Sequence, residues 1–140
     1  MKKTGETKKA SGINVRLLCK VSAAIHQAPE FFDMGFWHRS RLAPETPEGE
    51  TATACIAGWV MAIRGRKKLC DLQPGVIPQR AAELLGLNID QAERLFYLFF
   101  WPAEIKEVYR NTPETLEDYE NNARLAGERI DIFIQTNGER

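Results

Sequence analysis

Thr53-Ala54-Cys55-Ile56-Ala57-Gly58-Trp59-Val60-Met61-Ala62-Ile63 is the stretch on which the fold turns. Apart from Thr53 it is apolar all round, which predicts a helix buried at the centre of a domain. Ala54, Gly58 and Ala62 recur every four residues and line one face with small side chains, while Ile56, Val60 and Ile63 fill the other. A glycine inside a helix costs ~1 kcal/mol relative to alanine, and a close helix crossing accounts for Gly58. The apolar run from Ala52 to Ile63 is far short of the ~20 residues that cross a bilayer. Gly65 caps the helix, and Arg64-Gly65-Arg66-Lys67-Lys68 returns the chain to solvent.

Working outward, helical periodicity recurs on both sides. From about Asn14 to Ala28, residues Leu18, Val21, Ile25 and Ala28 share a face, while Arg16, Lys20 and Gln27 point elsewhere. Pro29 ends that helix, because proline disfavours helical backbone in the residue before it. The aromatic patch Phe31 to His38 has no clear period, and Gly35 marks a turn within it. Arg41 to Glu50, with Pro44, Pro47 and Gly49, reads as a solvated loop. A helix from Pro78 to Leu85 stops at Gly86. Asn88 caps the next one, Ile89 to about Phe100, with Gln91 in the reciprocal position; its expected core stripe is Ala92, Leu95, Phe96 and Phe99. Trp101-Pro102 stops it. The last helix is expected to start with Thr112 as cap and Pro113 at the first position. It then buries Leu116, Tyr119, Ala123, Ala126, Ile130 and Phe133 until Asn137-Gly138. No segment alternates with period two. The fold class is all-α: a single compact domain of about five helices around a buried central one.

The chain has 140 residues, 44% of them apolar, which suits one domain over residues 13–137. Residues 1–12, Lys-rich and apolar-poor, read as a disordered basic tail without the apolar stretch of a signal peptide. A cytoplasmic location is expected. Three cysteines, Cys19, Cys55 and Cys70, with no secretory signal, read as reduced thiols packed like small hydrophobes. The net charge of zero is unevenly spread. Residues 1–80 carry 13 Lys and Arg against 7 Asp and Glu, and residues 81–140 carry 6 against 12. Such a split allows a homo-oligomer assembled head to tail, or an anion-attracting face.

No catalytic constellation emerges, so an enzyme is not the leading expectation. Cys55 in the first turn of the central helix would have its thiolate favoured by the macrodipole, with His26 or His38 as base. Yet its surroundings are apolar and no residue is placed to orient a histidine. The cysteines and histidines lack the short-spaced pairs of a structural zinc site, so neither metal nor cofactor is expected. Residues 79–95 resemble a helix-turn-helix, with Ala82, Gly86, Ala92 and Leu95 at its packing positions. Asp90, Glu93 and the aromatic run after them are wrong for a helix that must meet phosphate and base edges. Nucleic acid is therefore not the expected partner, and a DNA-binding regulator ranks second. The leading reading is a non-catalytic binding module for a partner protein or a small anionic, nucleotide-like ligand. Its candidate contacts are Trp37, His38, Arg39, Arg41, Arg64, Arg66, Lys67 and Lys68, the arginines for bidentate grip and the tryptophan for stacking. A cysteine-dependent enzyme centred on Cys55 ranks third.

Met34 to Trp37, Cys55-Ile56-Ala57-Gly58-Trp59, Leu85-Gly86-Leu87, Leu95-Phe96 and Trp101-Pro102 also form a pattern. It resembles a set of small, uncharacterised bacterial and phage proteins with Met-x-x-Trp, Cys-Gly-Thr-x-x-Cys-Ile-Ala-Gly-Trp, Leu-Gly-Leu, Leu-Phe and Trp-Pro. The resemblance covers about half the chain, Met34 to Pro102, and is most specific in Cys-Ile-Ala-Gly-Trp. Here Glu50, Thr51 and Ala52 stand in place of Cys-Gly-Thr, so two-cysteine chemistry is not implied. The resemblance implies no activity. It suggests a setting in phage–bacterium conflict, where such a module would sequester a nucleotide signal.

Overall fold

The computed structural model describes residues 12–35, 39–42, 50–65 and 77–140. Among these residues six helices dominate: α1 (Val15–Gln27), α2 (Ile56–Gly65), α3 (Ile77–Leu85), α4 (Ile89–Phe96), α5 (Ala103–Lys106) and α6 (Leu116–Gln135). Short 3-10 turns at Pro29–Phe31 and Leu98–Phe100 link them. The domain is helical, as the periodicity implied. It also carries one feature the periodicity did not show, a two-stranded antiparallel ribbon of β1 (Arg39–Leu42) and β2 (Glu50–Thr53). The register pairs Arg39 with Thr53 and Arg41 with Thr51. Both ends of the expected loop at 41–50 are therefore strand.

The ribbon moves the start of the central helix. Thr53 and Ala54 are extended, Ala54 bridging Phe32, with Asp33 N–H donating to the Ala54 carbonyl at 3.0 Å. Cys55 then precedes α2, its carbonyl accepting from Trp59 N–H at 3.0 Å. From there the interior reading holds. Ile56, Ala57, Gly58, Trp59, Val60 and Ala62 are buried, and α2 packs against α1, α3 and α4. Trp59 Nε1–H reaches the Phe31 carbonyl at 3.2 Å, tying the 3-10 turn to the central helix.

Around that rod the other helices bury one stripe each. α1, capped by Asn14 accepting from Leu17 N–H, turns Leu17, Leu18, Val21 and Ile25 inward. It lies along α6, where the His26 ring sits so close to Gly127 that a Cβ there would meet its Cε1 at 2.5 Å. α3 buries Ile77, Ala81 and Leu85 at intervals of one turn. It closes on Gly86 at φ +74°, with Leu87 N–H donating to the Ala82 carbonyl at 2.9 Å. That is a glycine-terminated helix end of the Schellman type. The Gly12 carbonyl packs against Gly86, and Asn14 N–H donates to the Leu85 carbonyl at 2.8 Å.

Two further expected boundaries are corrected. α4 ends at Phe96 instead of near Phe100, because Tyr97 is extended and buried Trp101 folds back to donate Nε1–H to the Leu95 carbonyl at 3.0 Å. Phe99, expected in the core, is consequently 74% exposed; Lys106 Nζ lies over its ring and bonds its carbonyl. α6 starts at Leu116, not after Thr112. Thr115 and Asp118 exchange capping hydrogen bonds, and Asp118 also accepts from Glu114 N–H at 2.9 Å. Leu116 is exposed as a result, while buried Asn122 bonds both the N–H and the carbonyl of Arg110. The Asn137-Gly138 stop is as expected, both residues at positive φ. No helix among the described residues is long and apolar enough to cross a membrane.

Candidate functional site

The sequence-predicted contacts separate. Trp37, His38, Arg66, Lys67 and Lys68 lie outside the described residues, as do residues 1–11 and Cys70. Arg39 and Arg41 stand in β1, opposite Thr53 and Thr51. Arg64 is exposed in the last turn of α2.

Cys55 is an interior residue. Burial pushes its thiol up to about 11, overriding the amides of Gly58 and Ala57 that favour the thiolate; the nearby Asp33 charge pushes the same way as burial. Its neighbourhood is a polar island at the foot of the central helix. Asp33 accepts from Gly35 N–H at 2.8 Å, and the buried Tyr109 hydroxyl accepts from Met34 N–H at 2.8 Å. Burial, with Asp33 and Cys55 close by, raises the Tyr109 phenol far above its usual value. A neutral thiol shut away from solvent is a poor nucleophile. Cys19, by contrast, is exposed on α1, against the expectation that it packs inside.

Three of the hollows on the described surface bear on the site. One of about 480 Å³ lies between α1 and α6 and gathers His26, Glu30 and Glu120 beside Pro29 and Leu116. His26 Nδ1 is within 2.8 Å of the Ser22 carbonyl, and no three His, Cys, Asp or Glu among the described residues are grouped to hold a metal. A small one of about 190 Å³ is lined by Met34, Gly35, Phe96, Tyr97 and Leu98.

The third is an open cleft of about 410 Å³ along the α3–α4 corner. Its floor is Ala82, Leu87, Ala92 and Phe96. Its edges are Pro78 and Gln79 on α3, and Asn88, Ile89, Glu93 and Tyr97 along α4. The corner is rigid for local reasons. Gly86 permits the tight stop, and Asn88 and Gln91 satisfy each other's amide in a full capping box at 2.8 and 3.0 Å. Leu95 and Phe96 anchor the inner face of α4. On its outer face Ile89 is 77% exposed, and a large β-branched side chain held in water marks a recognition surface more often when it adjoins an apolar groove.

This corner is the segment whose spacing resembled a helix-turn-helix. The outward residues of α4 and its cap are Ile89, Asp90, Glu93 and Tyr97. Arg94 turns away, its Nη1 donating to the Gly138 carbonyl at 2.7 Å. That face puts the carboxylates of Asp90 and Glu93 where a phosphate backbone would have to lie. Sequence reasoning missed the cleft because Ile89, Ala92 and Phe96 count as apolar whether they face a core or a partner. The available signal was an excess of apolar residues over one stripe between Ile89 and Phe100. Comparison with protein-family models, curated proteins and solved structures finds no match for this chain.

Proposed function

We propose that the chain is a protein-binding module whose docking site is the α3–α4 cleft. One observation carries the reading: an apolar groove of about 410 Å³ is edged by Ile89, 77% exposed, on a corner fixed by a Schellman stop and a capping box. A groove between two helices with small floor residues receives the large side chains of an incoming segment, and such central apolar anchors carry most of an interface's affinity. The site needs no chemistry from the protein, which fits a thiol kept neutral in the interior.

Selection of a displayed random-peptide library on the immobilised full chain tests this. Enriched peptides are expected to share an apolar pattern and to lose binding by about tenfold or more against Ala92→Gln, which puts a polar chain on the cleft floor. Failure to enrich any peptide, or enrichment indifferent to Ala92→Gln and Ile89→Glu, overturns the proposal.

A further inference from the structure

Resting on that reading of the cleft, we infer that its occupant is a short amphipathic helix whose apolar stripe is flanked by lysine or arginine. The backbone around the cleft decides the conformation. Every lining residue belongs to α3, to α4, to the turn between them or, as Tyr97, to the cap of α4, whose N–H is taken by the Glu93 carbonyl. The turn's own amides are taken: Gly86 N–H by Glu83, Leu87 N–H by Ala82 and Asn88 N–H by the Gln91 side chain. The cleft therefore presents no open strand edge. An incoming segment must satisfy its own backbone while burying side chains, and a helix with anchors one turn apart does so.

Charge decides the flanks. Glu93 lines the cleft and Asp90 stands one residue from Ile89, both exposed. Asp90 has a fold-level reason, since a carboxylate in the first turn of α4 complements the helix dipole. Glu93 has none. Neither joins an ion pair among the described residues, whereas nearby Glu83 is held by Arg80 at 3.1 Å. Arg94, the one cation of α4, is drawn off to the Gly138 carbonyl. A cationic rim on the partner pairs with Glu93 and Asp90. A second copy seated face to face would set these carboxylates against themselves, which disfavours self-association by this surface.

The test uses two synthetic peptides of about 15 residues with the same leucine stripe, one flanked by lysines and one by glutamates. Binding to the full chain is measured by fluorescence anisotropy at low and high salt. The lysine peptide is expected to bind about tenfold tighter at low salt, with the gap closing in high salt and in Glu93→Gln. Equal affinity of the two peptides, or a gap that survives Glu93→Gln, overturns the cationic assignment while leaving the cleft as a docking site. No binding by either peptide, when the library selection has yielded binders, overturns the helical assignment. No binding in both experiments removes the cleft itself. Dimers seen in sedimentation that Ile89→Glu disperses would make the second copy the occupant and overturn the inference.

Discussion

Arg129, on the inward face of α6, has no exposed surface, yet among the described residues no Asp or Glu side chain is paired with it. Its Nη2 donates to the Arg94 carbonyl and to the main-chain oxygen of Arg140, its guanidinium lies 5.5 Å from the Phe133 ring, and Nε and Nη1 have no partner among the described residues. Burial, with Arg140 and Arg94 nearby, pushes it down to about 10. A buried charge so poorly compensated is a net burden. Arg129→Met, similar in length and uncharged, is expected to match or exceed the parent's stability by about 1 kcal/mol, and Arg129→Lys to fall below it. Denaturant titration of the three proteins checks the order; a large loss on Arg129→Met would show that the two bonds to main-chain oxygens outweigh the desolvation. Cys55 gives a prediction in pH. Its folded value lies above its ordinary 9.0, at about 11, so the protonated thiol is the form that folding favours. The contribution is complete below pH 9 and is lost as pH rises towards 11, on the order of 2–3 kcal/mol for two units of displacement. The denaturation midpoint should hold steady to about pH 8 and fall beyond it, with Tyr109 adding to the fall at still higher pH. Cys55→Ala should flatten the first part of that fall. At neutral pH a thiol reagent followed by peptide mapping should mark Cys19 and spare Cys55; equal labelling of both in the native protein would contradict a sealed interior.

At the level of elements, helix ends tell most. Thr115→Ala should cost about 1 kcal/mol, the usual worth of a cap with a reciprocal partner. Thr112→Ala should be nearly silent, since only the Thr112 carbonyl, bonded by Arg110 Nε at 3.4 Å, is engaged. Thermal unfolding of the two variants separates the boundary found here from the one that Thr112-Pro113 suggests. Gly86→Ala should cost about 2 kcal/mol or more, because φ is +74° and a Cβ would fall 2.0 Å from the Gly12 carbonyl. The contrast between the two ends explains what was legible. Asn88, Pro29 and Asn137-Gly138 act through their neighbours in sequence, so their effects could be read directly. Thr112 and Thr115 offer equally good local signals, and Asp118 decides between them by reaching back to two amides and to Arg110. The end of α4 was illegible for the same kind of reason, since Trp101 breaks it by returning to the Leu95 carbonyl from six residues away. The ribbon was hidden because its pairing, Arg39 to Thr53, needs no apolar alternation when the strands are only four residues long.

The whole molecule is arranged as a buried α2 with amphipathic helices around it, and its charge is arranged too. The cleft belongs to residues 78–97, and from residue 81 onward acidic residues outnumber basic ones by 12 to 6. A field of that sign steers a cationic partner towards α4 before any contact forms, so salt should slow association more than it hastens release. Ile89→Glu should abolish docking yet shift stability by no more than about 0.5 kcal/mol, because the side chain is 77% exposed. Stopped-flow binding and thermal unfolding, run on the same preparation, check both halves of that statement. The central rod was readable because every residue from Ile56 to Ile63 bears the same apolar message. The candidate site was readable only in outline, as a corner, since whether Ile89 faces inward depends on how α4 is rotated against α3. The seat of Gly12 on Gly86 has a practical outcome for anyone building reporters. A fluorescent protein or purification handle fused directly to residue 12 would start beside Gly86, at the turn that joins α3 to α4. Labels are better attached through Cys19, out on α1.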